Sequence, residues 1–406
     1  MTIHSLRPFI VAVFMTLPGL CLLVIDTPLS PVIVAMLAGM AIFGASFLLT
    51  WACEVAQLDI PQAVAVVVVA FVAVLPEYAV DMYFTWMAGQ NPASDYAHYA
   101  IANMTGANRL LIGVGWSTLV FIFAWKHHSA VELSPERRTD ILFLAMATVY
   151  ALTIPLKGAL VWYDGVVLIG IYVWYIKIIS KRPCEEESPE GAAAVLAHLP
   201  RQTRIRTVVG LFIFAALVIL ANAEPFSESL VATGTLLGIN EFLLVQWLAP
   251  IASEAPEFIV AIMFALRGNA ALALGSLLSS KLNQWTLLVG MIPGVYGLSS
   301  GSFSIPLPMG PFQLQELLLT AGQSLFAVAL LLDMRLALRE AFLLLILFSL
   351  QLLSPLYEVP LEELLQWTHN PLRLHMFFAN TYLALATALL VLQGKKVWRL
   401  RLGLYA

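Results

Sequence analysis

Four carboxylates stand inside long apolar stretches: Glu77 and Asp81 in one, Glu254 and Glu257 in another. An acid at the centre of a bilayer costs about 2.5–3.5 kcal/mol on insertion scales. The bland explanation is a polar contact between helices or a place near an interface, and Asp81 could face an outer mouth. A shared pattern argues for chemistry instead. On a helix, Asp81 lies one turn after Glu77 and Glu254 one turn before Glu257, so each pair shares a face. Pro76 and Pro256 directly precede Glu77 and Glu257. A proline inside a helix lacks an N–H and displaces the carbonyl four residues back, which would free Val72 and Ala252. Carboxylates beside freed carbonyls are what hard cations such as Na+ and Ca2+ prefer. Glu77 and Glu257 are therefore the expected metal ligands, with Glu254 and Asp81 beside them.

The helix after each pair carries a small, polar run: Asn103-Met104-Thr105-Gly106-Ala107-Asn108 in one half, Ser276-Leu277-Leu278-Ser279-Ser280-Lys281 in the other. Small residues, Gly275 among them, let helices approach closely. Asn103, Thr105, Asn108, Ser276, Ser279 and Ser280 can then add oxygens to the cation site. Two cations break the pattern, Arg109 and Lys281. Both lie about 10 residues, roughly 15 Å of helix, from an expected span end, which is too deep for snorkelling alone. The expected role for both is charge compensation against Glu77, Glu254, Glu257 and Asp81, or proton coupling.

The elements that hold these groups must be membrane spans. Of 406 residues 60% are hydrophobic and only 11% charged, against about 25% charged in soluble domains. A membrane helix needs roughly 20 apolar residues. Breaks at charged and Pro/Gly-rich points give twelve spans, at roughly 8–26, 31–57, 60–88, 98–125, 138–157, 160–179, 207–235, 240–266, 271–298, 312–333, 338–356 and 372–393. The stretch from Pro8 to Ile25 imitates a signal peptide but lacks a small-x-small cleavage site, and is read as the first span. Lys and Arg gather in 126–138, 180–206, 334–339 and the tail, all on one side under this count. Both termini are therefore expected in the cytoplasm, and the short loops suggest a bacterial inner membrane. Glu77 enters on a span running one way and Glu257 on a span running the other, so the repeats are inverted, as in many secondary transporters.

Other functions find little support. The net charge of −4 suggests no nucleic-acid partner. The three cysteines, Cys21, Cys53 and Cys184, form no framework, and no cofactor motif occurs. The histidines fall in loops or at span margins, and no nucleophile–base constellation lies within a span, which argues against an enzyme. The hydrophilic segment 180–206 is a linker, too short for a catalytic domain.

These motifs resemble the α-repeats of the cation/Ca2+ exchanger superfamily, which read approximately Gly-Thr-Ser-Leu-Pro-Glu and then Gly-Asn-x-x-Gly-Ser-Asn. Leu75-Pro76-Glu77 and Ala255-Pro256-Glu257 look like the first part. The Asn103–Asn108 and Ser276–Lys281 runs look like the second. The resemblance implies an all-α polytopic membrane protein of about 12 transmembrane helices, with two inverted five-helix repeats at 31–179 and 207–356. The remainder would be an extra helix within 1–30, the linker at 180–206, and an extra helix with a basic tail in 357–406. It also implies central ion binding by Glu77 and Glu257, and alternating access with 31–57 and 207–235 sliding against the core. The expected function is antiport of Ca2+ against Na+ or H+; alternatives are Na+(K+)/H+ antiport through Lys281 and Arg109, or a non-transporting sensor. Ala73-Val74 and Ser253-Glu254 replace the family's Thr-Ser, and Lys281 replaces its final Asn, so one repeat loses hydroxyls while the other gains a carboxylate.

Overall fold

The computed structural model describes residues 3–24, 29–60, 74–181, 189, 191–354, 357, 360, 364, 370, 372–400 and 403. Several expectations lie outside the described residues: the first half of the third span with Val72 and Ala73, and the linker stretch from Arg182 to Ser188 with Cys184.

The described residues are helical almost throughout. Helix α1 is Ile3–Leu22, α2 Pro31–Ala56, α3 Leu75–Gln90 and α4 Tyr96–Leu110. A π-helical turn, Leu111–Trp116, joins α4 to α5, Ser117–His127. Then come strand β1 (Val131–Glu132), α6 (Arg138–Ala151), α7 (Thr153–Lys157), α8 (Trp162–Ile179), α9 (Gly191–Ala197), α10 (Arg201–Leu237) and α11 (Glu241–Leu266). Helix α12, Ala270–Asn283, passes through a second π turn, Gln284–Leu288, into α13, Val289–Ser300. The chain closes with α14 (Pro311–Leu330), β2 (Arg335–Leu336), α15 (Leu338–Leu352), α16 (Arg373–Leu392) and α17 (Gly394–Leu400).

Each expected span coincides with a helical stretch, the third from Leu75 onward. Among the described residues, eight stretches are long and apolar enough to cross a bilayer: 31–56, 96–127, 135–157, 162–179, 201–237, 241–266, 311–333 and 373–392. Exposed apolar side chains run along α8 (Val166, Val173) and α10 (Ile213, Leu217, Leu220). Such surface suits lipid rather than water. The chain is an integral, all-α membrane protein.

The residues group into two compact units, Met1–Met87 with Ile176–Glu257, and Ala88–Tyr175 with Phe258–Ala406. In the first, α2 packs on α1 and α10 through small residues. A Cβ on Gly44 would meet the Ala12 carbonyl at 2.6 Å, and one on Gly39 the Phe226 ring at 2.9 Å. Such close approach replaces the hydrophobic drive that helices lack in lipid. Beyond the end of α2, Asp59 accepts two bonds of 2.7 Å from Arg204 of α10. That pairing, helped by Arg201, holds the Asp59 carboxyl below the usual carboxylate range, so the clasp is charged at neutral pH.

In the second unit α14 is the central helix, its Leu317, Thr320, Gln323, Ser324 and Phe326 all buried. At one end of this unit Lys126 donates to the Leu266 carbonyl. There too β1 pairs with β2, and Thr139 donates to the Gly403 carbonyl at 2.7 Å. Elsewhere Leu160 bridges Leu307, and a Cβ on Gly89 would strike Ser299 at 2.6 Å. Each of these contacts joins loops or span ends that the twelve-span alternation places on the same side.

Candidate cation site

The acids of the motif begin at a helix start. Helix α3 opens at Leu75, with Pro76 in its second position and Glu77 in its first turn. Proline is tolerated there because its missing N–H would be unbonded anyway, and the helix N-terminus favours a carboxylate. Glu77 and Asp81, one turn apart, are both buried. The second copy differs. Helix α11 runs without a stop through Pro250 and Pro256. Pro256 thus lies inside a helix that continues past it, because one missing N–H does not end a helix whose flanking turns keep their bonds. Glu254 is buried and Glu257 partly so. Glu257, together with Glu54 of α2, acts electrostatically on the buried Cys53 thiol.

The second-motif runs lie on α4 and α12, and the structure brings their ends together. Lys281, fully buried, donates from Nζ to Asn108 Oδ1 at 2.6 Å and approaches the Asn108 carbonyl at 3.3 Å. Its ammonium also stands 4.4 Å from the centroid of the Trp285 ring, a cation–π distance. Positions that match in the two motifs thus meet, and the ammonium takes up oxygens of Asn108 that the sequence assigned to a metal. Thr105 donates to the Ile101 carbonyl at 2.7 Å, so its hydroxyl is tied to its own helix. Ser279 accepts from Arg137 at 3.3 Å, and Arg137 also reaches Asp140 at 3.2 Å. The same guanidinium fills the space over Gly275, where a Cβ would lie 2.5 Å from Arg137 Nε. Asn103, also assigned to the ion, is buried on α4, whereas on α12 Ser276 is exposed and Ser280 half-buried.

Arg109 forms an ion pair with Glu316 of α14, a carboxylate that no motif pointed to. Glu316 lies within an expected span, four residues from its start, and an acid inside a span was the available signal. Glu224 and Glu228, on either side of Pro225 in α10, repeat the proline–acid association and were also missed. Glu228 accepts a bond from Tyr83 of α3 at 2.7 Å. A further correspondence is structural. Each second-motif helix passes into a π turn two or three residues after its cation, at Leu111 after Arg109 and at Gln284 after Lys281. Such turns are frequent at functional sites.

A helical membrane protein with proline-linked acids inside its spans and two matching small-residue helices, each carrying a buried cation, belongs to the class of ion transporters. A family model described as sodium/calcium exchanger protein matches residues 29–181 and 207–356. A crystal structure of the H+/Ca2+ exchanger CAX is 41% identical, with a TM-score of 0.92 over 99% of this chain and 98% of that one. The native YfkE structure superposes at a TM-score of 0.62 with 16% identity, over 86% of this chain and 98% of that one. The sodium-calcium exchanger NCX_Mj superposes at 0.53 with 18% identity, over 85% and 99% respectively; these two likenesses concern the fold alone. A comparison with curated protein sequences returns no match. The chain belongs to the sodium/calcium exchanger family, and it is a membrane transporter, not an enzyme.

Proposed function

We propose that this chain is a Ca2+ antiporter driven by protons. The observation that carries the reading is the 41% identity, over 99% of the chain, to a protein described as an H+/Ca2+ exchanger. The chemistry is compatible with it. Glu77 and Glu257 are the central ligands and can carry either a metal or protons, with Glu254 and Asp81 as further acids. Asn103, Ser276 and Ser280 are the neutral oxygens proposed to complete the shell. Lys281 bound to Asn108 puts a fixed positive charge where the family pattern has a neutral ligand, and so lowers the number of metal ions the site can hold.

In this reading 31–179 and 207–356 are the two repeats, joined by a cytoplasmic linker at 180–206 and flanked by one extra helix on each side. Both termini lie in the cytoplasm, because Lys and Arg gather on that side, and the short loops suit a bacterial inner membrane. Transport proceeds by alternating access, and each cation shifts the balance of inward and outward states only through its differential affinity for them.

The test is Ca2+ uptake into proteoliposomes under an imposed pH gradient or an imposed Na+ gradient, for the wild type, Glu257→Gln and Glu77→Gln. Uptake on the pH gradient is expected, with each variant reduced at least about tenfold, the loss that accompanies about 1.4 kcal/mol. Uptake on the Na+ gradient alone would replace the proton by Na+ as the coupling ion. No flux of Ca2+, Na+ or K+ under either gradient would overturn antiport.

A further inference from the structure

Arg109 follows the last residue of the second motif on α4, and its guanidinium is sealed inside the protein. It pairs with Glu316, both residues 1% exposed. Its own Nε donates to the Thr105 carbonyl at 3.3 Å, which ties the charge to the turn that carries Thr105 and Asn108. Gln323, two turns along α14 from Glu316, donates to the Arg109 carbonyl at 3.5 Å. The other carboxylate oxygen of Glu316 lies 2.8 Å from His375 Nε2. His375 is on α16, outside both segments that match the family model.

We propose that Glu316 is a positioning residue of the transport site. It cancels the charge of Arg109 and thereby sets how strongly the neighbouring oxygens of α4 attract a cation, while His375 holds the carboxylate in place. The proposal rests on the cation-antiport reading above. A unit charge in a poorly polarisable interior acts over several neighbouring turns. An uncancelled guanidinium on α4 would repel a bound cation, and an uncancelled Glu316 would attract one. The two single neutralisations therefore act in opposite directions. A purely structural pair would weaken binding in both.

The experiment measures, for the full chain in detergent, the Ca2+ concentration that half-saturates thermal stabilisation, and in proteoliposomes the half-saturating Ca2+ for uptake. Glu316→Gln is expected to raise both concentrations about tenfold, on the scale of one charge acting at short range. Arg109→Gln is expected to lower them, and the double variant R109Q/E316Q to regain most of the affinity lost in E316Q. Where E316Q, with its buried guanidinium uncancelled, does not accumulate folded, R109Q alone decides by its sign, and Glu316→Asp is expected to keep wild-type affinity more closely than the double variant. Shifts of E316Q and R109Q in the same direction, or a double variant as weak as E316Q, would overturn the proposal. A wild type that Ca2+ stabilises but that carries no Ca2+ sinks antiport while the binding comparison still decides the role of Glu316. A wild type stabilised by none of Ca2+, Na+ and K+ overturns both.

Discussion

At the scale of single residues, Lys281 is the departure from the family pattern with the clearest physical content. Its ammonium is satisfied by Asn108 and by the face of Trp285, so it is a built part of the interior. Hydrogen bonds to charged groups contribute about 1.5–3 kcal/mol. Lys281→Asn restores the neutral residue of the family pattern, and is expected to alter the ratio of Ca2+ carried to charge moved and the pH dependence of uptake. Parallel 45Ca2+ flux and membrane-potential recordings on the same liposomes check this. Unchanged selectivity and pH dependence would remove any coupling role from Lys281. The sequence made Lys281 and Arg109 legible as buried cations, because depth within a span can be counted. Their partners were less legible. The motif suggested the central acids, yet Arg109 pairs with Glu316 and Lys281 bonds Asn108. Such pairings depend on which helices pack side by side, which periodicity does not record.

At the scale of elements, small residues decide how near helices come. Helices α8 and α13 meet at Gly165 and Gly290, where a Cβ on Gly165 would lie 2.5 Å from the Gly290 carbonyl oxygen. Backbone cannot yield as a flexible side chain can. Gly165→Ala is expected to destabilise the protein by about 1–3 kcal/mol, read as a lower melting temperature in detergent, whereas Gly170→Ala, with open space around its position, should melt as the wild type does. An unchanged melting temperature for Gly165→Ala would mean the two helices lie farther apart. Span positions were readable because twenty-residue apolar runs leave few alternatives. The π turns were not, since Leu111–Trp116 and Gln284–Leu288 share no composition that separates them from α-helix. Nor did the pattern distinguish Pro76, at a helix start, from Pro256, inside one; identical local chemistry sits in two different backbones.

For the whole molecule, the alternation of twelve spans makes a statement about sides that chemistry can check. In a cysteine-free background, a single cysteine at Ala93 is expected to react with a membrane-impermeant maleimide added to intact cells. One at Ser129 should react only after permeabilisation. Both positions are exposed, so lack of reaction at either reports the membrane and not burial. Labelling of Ser129→Cys from outside would reverse the assigned orientation, and labelling of both would break the alternation.

The bond from His375 to Glu316 bears on how far this transporter can be divided. A minimal chain cut after residue 356 would keep both family-matched segments and look modular on paper. It would nevertheless remove the group that steadies Glu316 and strip Tyr382 from beside Phe326, whose rings are 6.0 Å apart. The last helix is thus no detachable appendage, and a trimmed chain inherits a flaw in the charge balance of the repeat it was meant to isolate.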